Sequence, residues 1–223
     1  MNAKKTAAYK AIEAVEPGMV VGLGTGTTAY FAIEGLGERI KKGLQLKAVC
    51  SSVATEDLAR KAGIEIVPFE IISGIDLYID GADEVDVHFN LIKGGGGALV
   101  REKIVAFNSK QFSVIVDNSK RVEALGRFPL PVEVVPFAVT LTMQHLEKLG
   151  GVATLRQRDG KTFISDNGNF IVDIQFGKIE NGVALNAAIN QIPGVVESGF
   201  FPAAMVSRVI VGYDDGRVDV VEH

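Results

Sequence analysis

The chain has 223 residues, 47% of them hydrophobic and 22% charged, with a net charge of −4. That is enough chain to bury one large core or two smaller ones, and no basic tract marks it for nucleic acid. No apolar run approaches the ~20 residues of a membrane helix, and the single Cys50 excludes an internal disulfide and suits a reducing, cytoplasmic compartment.

In chain order, "MNAKKTAAYKAIEAVEPG" lacks the apolar centre of a signal peptide and predicts a helix stopped by Pro17–Gly18. From Met19 to Asp117 a short apolar run, a small-residue turn and a helix-period segment recur. "MVVGL" leads to "GTGTT" and a helix, "LKAVC" to "SSVAT" and a helix, and "DLYID" to "GADEVD". "LIK" leads to "GGGG" and the helix "ALVREKIVAFNSK", and "FSVIVD" leads to "NSK". This alternation predicts a parallel sheet covered by helices, with all the small-residue turns at its carboxyl edge, where such sheets bind ligands.

Beyond Arg127 the pattern changes. "RFPLPVEVVP" is extended and Pro-broken, and the order that follows is helix, strand, strand, helix, strand. That predicts a small ferredoxin-like α+β domain over 127–200. "MVSRVIVGYDDGRVDVVE" reads as two strands around Asp215–Gly216 that return to the first sheet. The Rossmann-like α/β domain then comprises 1–126 with 201–223. No internal repeat or low-complexity segment is present.

Four motifs carry chemistry. Gly24–Ala29, "GTGTTA", joins a strand to a helix, where backbone N–H groups and the helix N-terminus attract an anion and Thr25, Thr27 and Thr28 add hydroxyls. The plain alternative is a tight turn with Thr as N-cap. The spacing also fits the dinucleotide fingerprint, but the second strand ends "AVCSS" without the acid that a ribose requires. A phosphate monoester is therefore preferred to NAD. In "DGAD", Gly81 permits a sharp turn between Asp80 and Asp83, so both carboxylates can face one cleft; singly, each suits an Asx turn. Glu84 and Asp86 read as solvated loop charges.

In "KGGGGA", Gly94–Gly97 can let a substrate lie on bare backbone and offer N–H groups to an oxyanion, whereas a flexible linker is the plain reading. Lys93 alone would be an ordinary surface lysine. In "REK", with Val100, Ile104 and Phe107 as the buried side of the helix, Glu102 alone would be a solvated charge; its place one turn into the helix raises its interest. Lys120 in "DNSK" is a second cation at the same edge. His88, His145 and His223 are scattered, no carboxylate spacing resembles a Ca²⁺ loop, and Cys50 has no nearby His, so neither metal nor nucleophilic thiol is expected.

Together, "GTGTTA", "IDGADEVD", "LIKGGGGALVREK" and "VDNSK", in this order, resemble the ribose-5-phosphate isomerase A family, from about Lys4 to the C-terminus. Thr27 stands where that family often has Ser, and the hydroxyl survives. The resemblance implies interconversion of ribose 5-phosphate and ribulose 5-phosphate through an enediolate, without metal or cofactor. It implies Glu102 as general base, with Asp80, Asp83 and Lys93 around C1–C2 of the open-chain sugar and Gly81, Ala82 and Gly94–Gly96 lining it. It further implies phosphate contacts from Thr25, Gly26, Thr27 and Thr28, helped by Lys4 and Lys120, and a homodimer or homotetramer. Two other classes remain: a phosphosugar sensor, which needs the phosphate loop but no base, and a nucleotide-dependent oxidoreductase, disfavoured by the missing acid.

Overall fold

A computed structural model of the chain describes residues 2–223. Helix α1 (Ala3–Ile12) starts at Asn2, whose side chain accepts the N–H groups of Lys4 and Lys5 at 3.0 and 3.2 Å. Strand β1 (Val20–Leu23) leads to α2 (Thr27–Lys41), and β2 (Lys47–Cys50) to α3 (Val53–Lys61) and the short β3 (Glu65–Ile66). After β4 (Ile75–Asp80) come β5 (Glu84–Val85), β6 (Leu91–Ile92), α4 (Leu99–Phe107) and β7 (Ser109–Asp117). Then follow β8 (Leu130–Val134), α5 (Val139–Glu147), β9 (Val152–Leu155), β10 (Gln157–Arg158), β11 (Lys161–Thr162) and β12 (Phe170–Gln175). The remaining elements are α6 (Gly182–Asn190), β13 (Val195–Ser198), β14 (Phe200–Phe201), β15 (Arg208–Gly212) and β16 (Val218–Glu222).

These elements form two compact units. The first takes the described residues up to Ala82, then Arg101–Arg121 and Ala204–His223; the second takes Asp83–Val100 and Val122–Ala203.

The first unit is built on a seven-stranded sheet, order β16-β15-β7-β4-β1-β2-β3, parallel except for the β15–β16 pair. Strands buried on both faces read as near-continuous apolar runs, which is why "IDLYID" and "FSVIVD" stand out in the sequence. The strand order runs one way from β1 to β3 and the other way from β4, so β1 and β4 flank a switch point. Gly22 of β1 lets α4 lie close: a Cβ there would come 2.7 Å from Val105 and 2.8 Å from the Tyr78 ring. The expected return of the last two strands to this sheet is observed.

The second unit holds a four-stranded antiparallel sheet, order β13-β8-β12-β9, with the ferredoxin-like β-α-β-β-α-β succession. Leu130, Val132, Val134, Val172 and Ile174 join Leu146 of α5 and Ile189 of α6 in its core. A three-stranded sheet, β14-β6-β5, also lies in this unit. This corrects one expectation. "LIK" pairs antiparallel with β5 and β14 instead of joining the parallel sheet, so the glycine run does not follow a strand of that sheet. Two apolar residues are too short a run to reveal which sheet they join.

The α4 face is a second correction. Ile104 and Phe107 are 53% and 75% exposed, while Leu99, Glu102, Lys103, Val105 and Ala106 are buried. The buried face combines Leu99, Val105 and Ala106 with the charged Glu102 and Lys103, so a reading that follows Val100, Ile104 and Phe107 picks the wrong side.

Candidate active site

In the first unit the site residues gather where β1 and β4 end. Asp80, the last residue of β4, is fully buried. Its Oδ1 accepts the N–H groups of Thr25 and Gly81 at 3.0 and 2.7 Å, and its Oδ2 accepts the Tyr78 hydroxyl. Gly24 makes this approach possible, because a Cβ there would sit 1.9 Å from Asp80 Oδ1. Asp80 therefore pins the turn after β1. The N-cap of α2 is Gly26, at φ 98°, with no side-chain cap, so no Thr caps that helix. The Thr25 hydroxyl turns inward, 2.9 Å from Ser52 Oγ and 3.1 Å from those of Ser51 and Thr55. Ser51, Ser52 and Thr55 are site-building residues the motif reading missed; the small hydroxylated run "SSVAT" was their signal. Thr27 is exposed, and Lys4 Nζ donates to its Oγ1 at 2.9 Å. Lys4 also lines a pocket of about 850 Å³ with Asp117, Ser119 and Asp214. Lys120 ends the 3₁₀ turn Asn118–Lys120, which Asp117 caps through the Ser119 N–H at 2.9 Å.

Glu102 is 3% exposed and lies one helical turn before Val105, which packs at Gly22 and Tyr78. Tyr78, stacked on Phe112 with centroids 4.7 Å apart, is fully buried. Burial raises its hydroxyl well above the ordinary tyrosine value, and the carboxylates of Asp80 and Glu102 push it further. Two carboxylates and a phenol thus share one dry corner of this unit. Cys50 ends β2, and burial pushes its thiol up to about 12, with Glu56 adding to the rise and Arg60 opposing it. That is the behaviour of a structural thiol.

In the second unit, Asp83 Oδ2 accepts the Gly95 N–H at 2.7 Å, and the Asp83 N–H donates to Ile92 O at 2.8 Å. Lys93 is 3% exposed, so it is no surface lysine; its Nζ lies 5.5 Å from the centre of the Phe201 ring. Gly94 and Gly97 adopt φ of 103° and 87°, which a side chain rarely tolerates. Glu84, expected in solvent, is fully buried and accepts the N–H groups of Gly126 and Phe128, each at 2.7 Å. Asp86 accepts the N–H groups of His88 and Asn90 at 2.9 and 2.8 Å. Among the described residues no group of His, Cys, Asp and Glu is arranged to hold a metal ion, and no helix is long and apolar enough to cross a membrane.

The family model described as ribose 5-phosphate isomerase A (phosphoriboisomerase A) matches residues 47–216. The chain belongs to the ribose 5-phosphate isomerase A family. A family relative named ribose-5-phosphate isomerase A, from Thermoplasma volcanium, is 51% identical over 218 residues, covering 96% of this chain and 89% of its own. The ribose 5-phosphate isomerase A structure from Methanocaldococcus jannaschii superposes with a TM-score of 0.93 at 41% identity, over 99% of this chain and 98% of that one. A structure of D-ribose-5-phosphate isomerase in complex with phospho-erythronic acid gives a TM-score of 0.95 at 39% identity, over the full length of both.

Proposed function

We propose that this chain interconverts D-ribose 5-phosphate and D-ribulose 5-phosphate, with Glu102 as the base that moves the proton. The observation that carries this is a carboxylate buried to 3% exposure in the corner that Tyr78 and Asp80 also occupy. A base on a helix in a dry site is held at one distance from its proton and is not levelled by water.

In the open-chain aldose, Glu102 removes the proton on C2, and the electron pair flows onto the C1 carbonyl oxygen. In the enediolate that forms, the proton of the C2 hydroxyl passes to the C1 oxygen; the same carboxyl then returns its proton to C1 as the C2 carbonyl forms, which yields the ketose. No net oxidation occurs, so the step balances without a redox partner. Negative charge grows on the C1 and C2 oxygens, where Lys93 and N–H groups of the Gly94–Gly96 run not already held by a carboxylate act as donors; Asp83, which takes the Gly95 N–H, lies around the same C1–C2 end as an acceptor for the sugar hydroxyls. Asp80, Gly81 and Ala82 complete this end. Gly26, Thr27 and Thr28, with Lys4 and Lys120, take the phosphate, since a dianion belongs away from the carboxylates; Thr25, whose N–H and hydroxyl are held by Asp80 and the serines, shapes the loop from behind. Phospho-erythronic acid, bound by a relative, carries a planar carboxylate and a phosphate at its far end. Its two coplanar carboxylate oxygens stand in for the oxygens that a planar enediolate carries on the adjacent C1 and C2.

The enzyme acts in the cytoplasm as a homodimer or homotetramer. The exposed apolar side chains of Phe107 and Phe137, at 75% and 87%, support self-association. Light scattering behind a sizing column reads the assembly, and a monomer at micromolar concentration would overturn it.

Proton NMR with ribose 5-phosphate in D₂O, with and without EDTA, tests the reaction. Ketose formation with deuterium at C2 of recovered aldose is expected in both samples. Glu102→Gln should keep its fold and lose ~10²–10⁴-fold in turnover, the range for one general base. Near-normal turnover would remove Glu102 from its role, and activity lost only with EDTA would require a metal.

A further inference from the structure

The glycine run is held from behind by a residue that no motif singles out. Arg156 follows β9, and its side chain is only 10% exposed. Its Nη1 donates to Gly94 O at 2.7 Å and to Gly95 O at 3.1 Å. Its Nε donates to Asp173 Oδ2 at 2.8 Å and its Nη2 to Asp173 Oδ1, a two-pronged grip that fixes the guanidinium plane. Asp173 itself sits on β12, in register with Thr154 of β9 and Pro131 of β8, so the fork is anchored on the central sheet of its unit. Phe163 lies beneath the same loop: its ring centre is 6.0 Å from the guanidinium carbon, and a Cβ on Gly97 would come 2.3 Å from its edge.

The peptide group transmits this grip. In a planar trans peptide the C=O and the following N–H point in opposite directions. Pulling the Gly94 carbonyl onto Arg156 therefore turns the Gly95 N–H the other way, and there it meets Asp83 Oδ2 at 2.7 Å. Pulling the Gly95 carbonyl the same way turns the Gly96 N–H away from the guanidinium, and Gly96 is exposed. A stretch with no side chains has no rotamers to lock it and the largest backbone freedom. Its direction has to be imposed from outside.

We propose that Arg156, clamped by Asp173, is a positioning residue for the isomerisation: it orients the Gly95 and Gly96 N–H groups and, through Gly95, the Asp83 carboxylate. The proposal rests on the reading above that this loop and Asp83 serve the C1–C2 end of the sugar. Arg156 itself touches no reacting atom.

Two readouts separate this from a purely structural ion pair and from a wrong reaction. The first is hydrogen exchange of the 94–97 amides in Arg156→Ala and Arg156→Lys against wild type, which does not depend on activity. The Gly95 amide should exchange at least ~10-fold faster in both variants, because the point charge of lysine lacks the fork. Unchanged exchange would overturn the positioning role whatever the enzyme catalyses. The second is kinetics with ribose 5-phosphate. Misplacement by about an ångström costs on the order of 10²-fold, so kcat should fall at least ~10-fold while KM moves less than ~3-fold. Added guanidinium chloride, far below denaturing levels, should restore part of kcat in Arg156→Ala and none in Glu102→Gln. A kcat within twofold of wild type, or a loss without rescue, would overturn it. If Arg156→Ala fails to fold, Asp173→Asn, which keeps the shape and loosens the clamp, is read by the same two measurements. If wild type does not isomerise the sugar, the reaction reading fails, and the exchange result still stands by itself.

Discussion

Tyr78 shows how much a single residue in this fold is asked to do. It packs on Phe112, walls the corner beside Glu102 and gives its hydroxyl to Asp80. Because its folded-state value lies well above the ordinary ~10, the unfolded chain releases that proton first as pH rises. The stabilisation from this group is complete below pH ~10 and is lost as pH climbs from there toward the folded value. Tyr78→Phe should lose about 1–3 kcal/mol at pH 8, where the buried Asp80 loses a donor, yet fall less steeply than wild type between pH 9 and 11. Urea midpoints across that range decide it; parallel pH curves would count against the assignment. The motif residues were legible as types because their neighbours are glycines and threonines at strand ends. For Ser51, Ser52 and Thr55 the hydroxylated run at a strand end was visible, but not its partner, since the cluster forms by long-range contact with Thr25.

Among the elements, α4 was the least legible. Its sequence offers Val100, Ile104 and Phe107 as a face, but the fold buries Glu102 and Lys103 along with Leu99, Val105 and Ala106 and leaves Ile104 and Phe107 outside. Two buried charges among Leu99, Val105 and Ala106 blur the apolar period that marks a helix face. Strands flanked by small-residue turns were legible, whereas the two-residue β6 carried no signal of which sheet it joins. Helix α1 depends on one glycine for its seat. A Cβ on Gly212 of β15 would come 2.0 Å from the Ala3 carbonyl and 2.9 Å from the Ala7 nitrogen, both backbone atoms that cannot rotate away. Gly212→Ala should therefore destabilise by about 1–3 kcal/mol through overpacking. Since Lys4 lies in the first turn of α1, KM for the sugar phosphate should rise with it. Denaturation and steady-state kinetics on the same sample check both; an unshifted midpoint would show that α1 slides without cost.

For the whole chain, the βαβ alternation and the ferredoxin-like succession were readable because each rests on periodicity and turn residues repeated many times. What periodicity does not carry is which distant segments share a unit. The first unit is assembled from three separate stretches, and its sheet is completed by β15 and β16. A chain stopped at Val206 would leave β7 as a long bare edge and remove the seat of α1. It should aggregate, with no cooperative unfolding; a soluble product with the wild-type midpoint would contradict this. The same order matters during translation. A ribosome adds ~5–20 residues per second, so β7 is made well before β15, the strand that covers its outer edge, exists. Throughout that delay the half-built sheet presents the unpaired edge of β7 to every other nascent chain nearby.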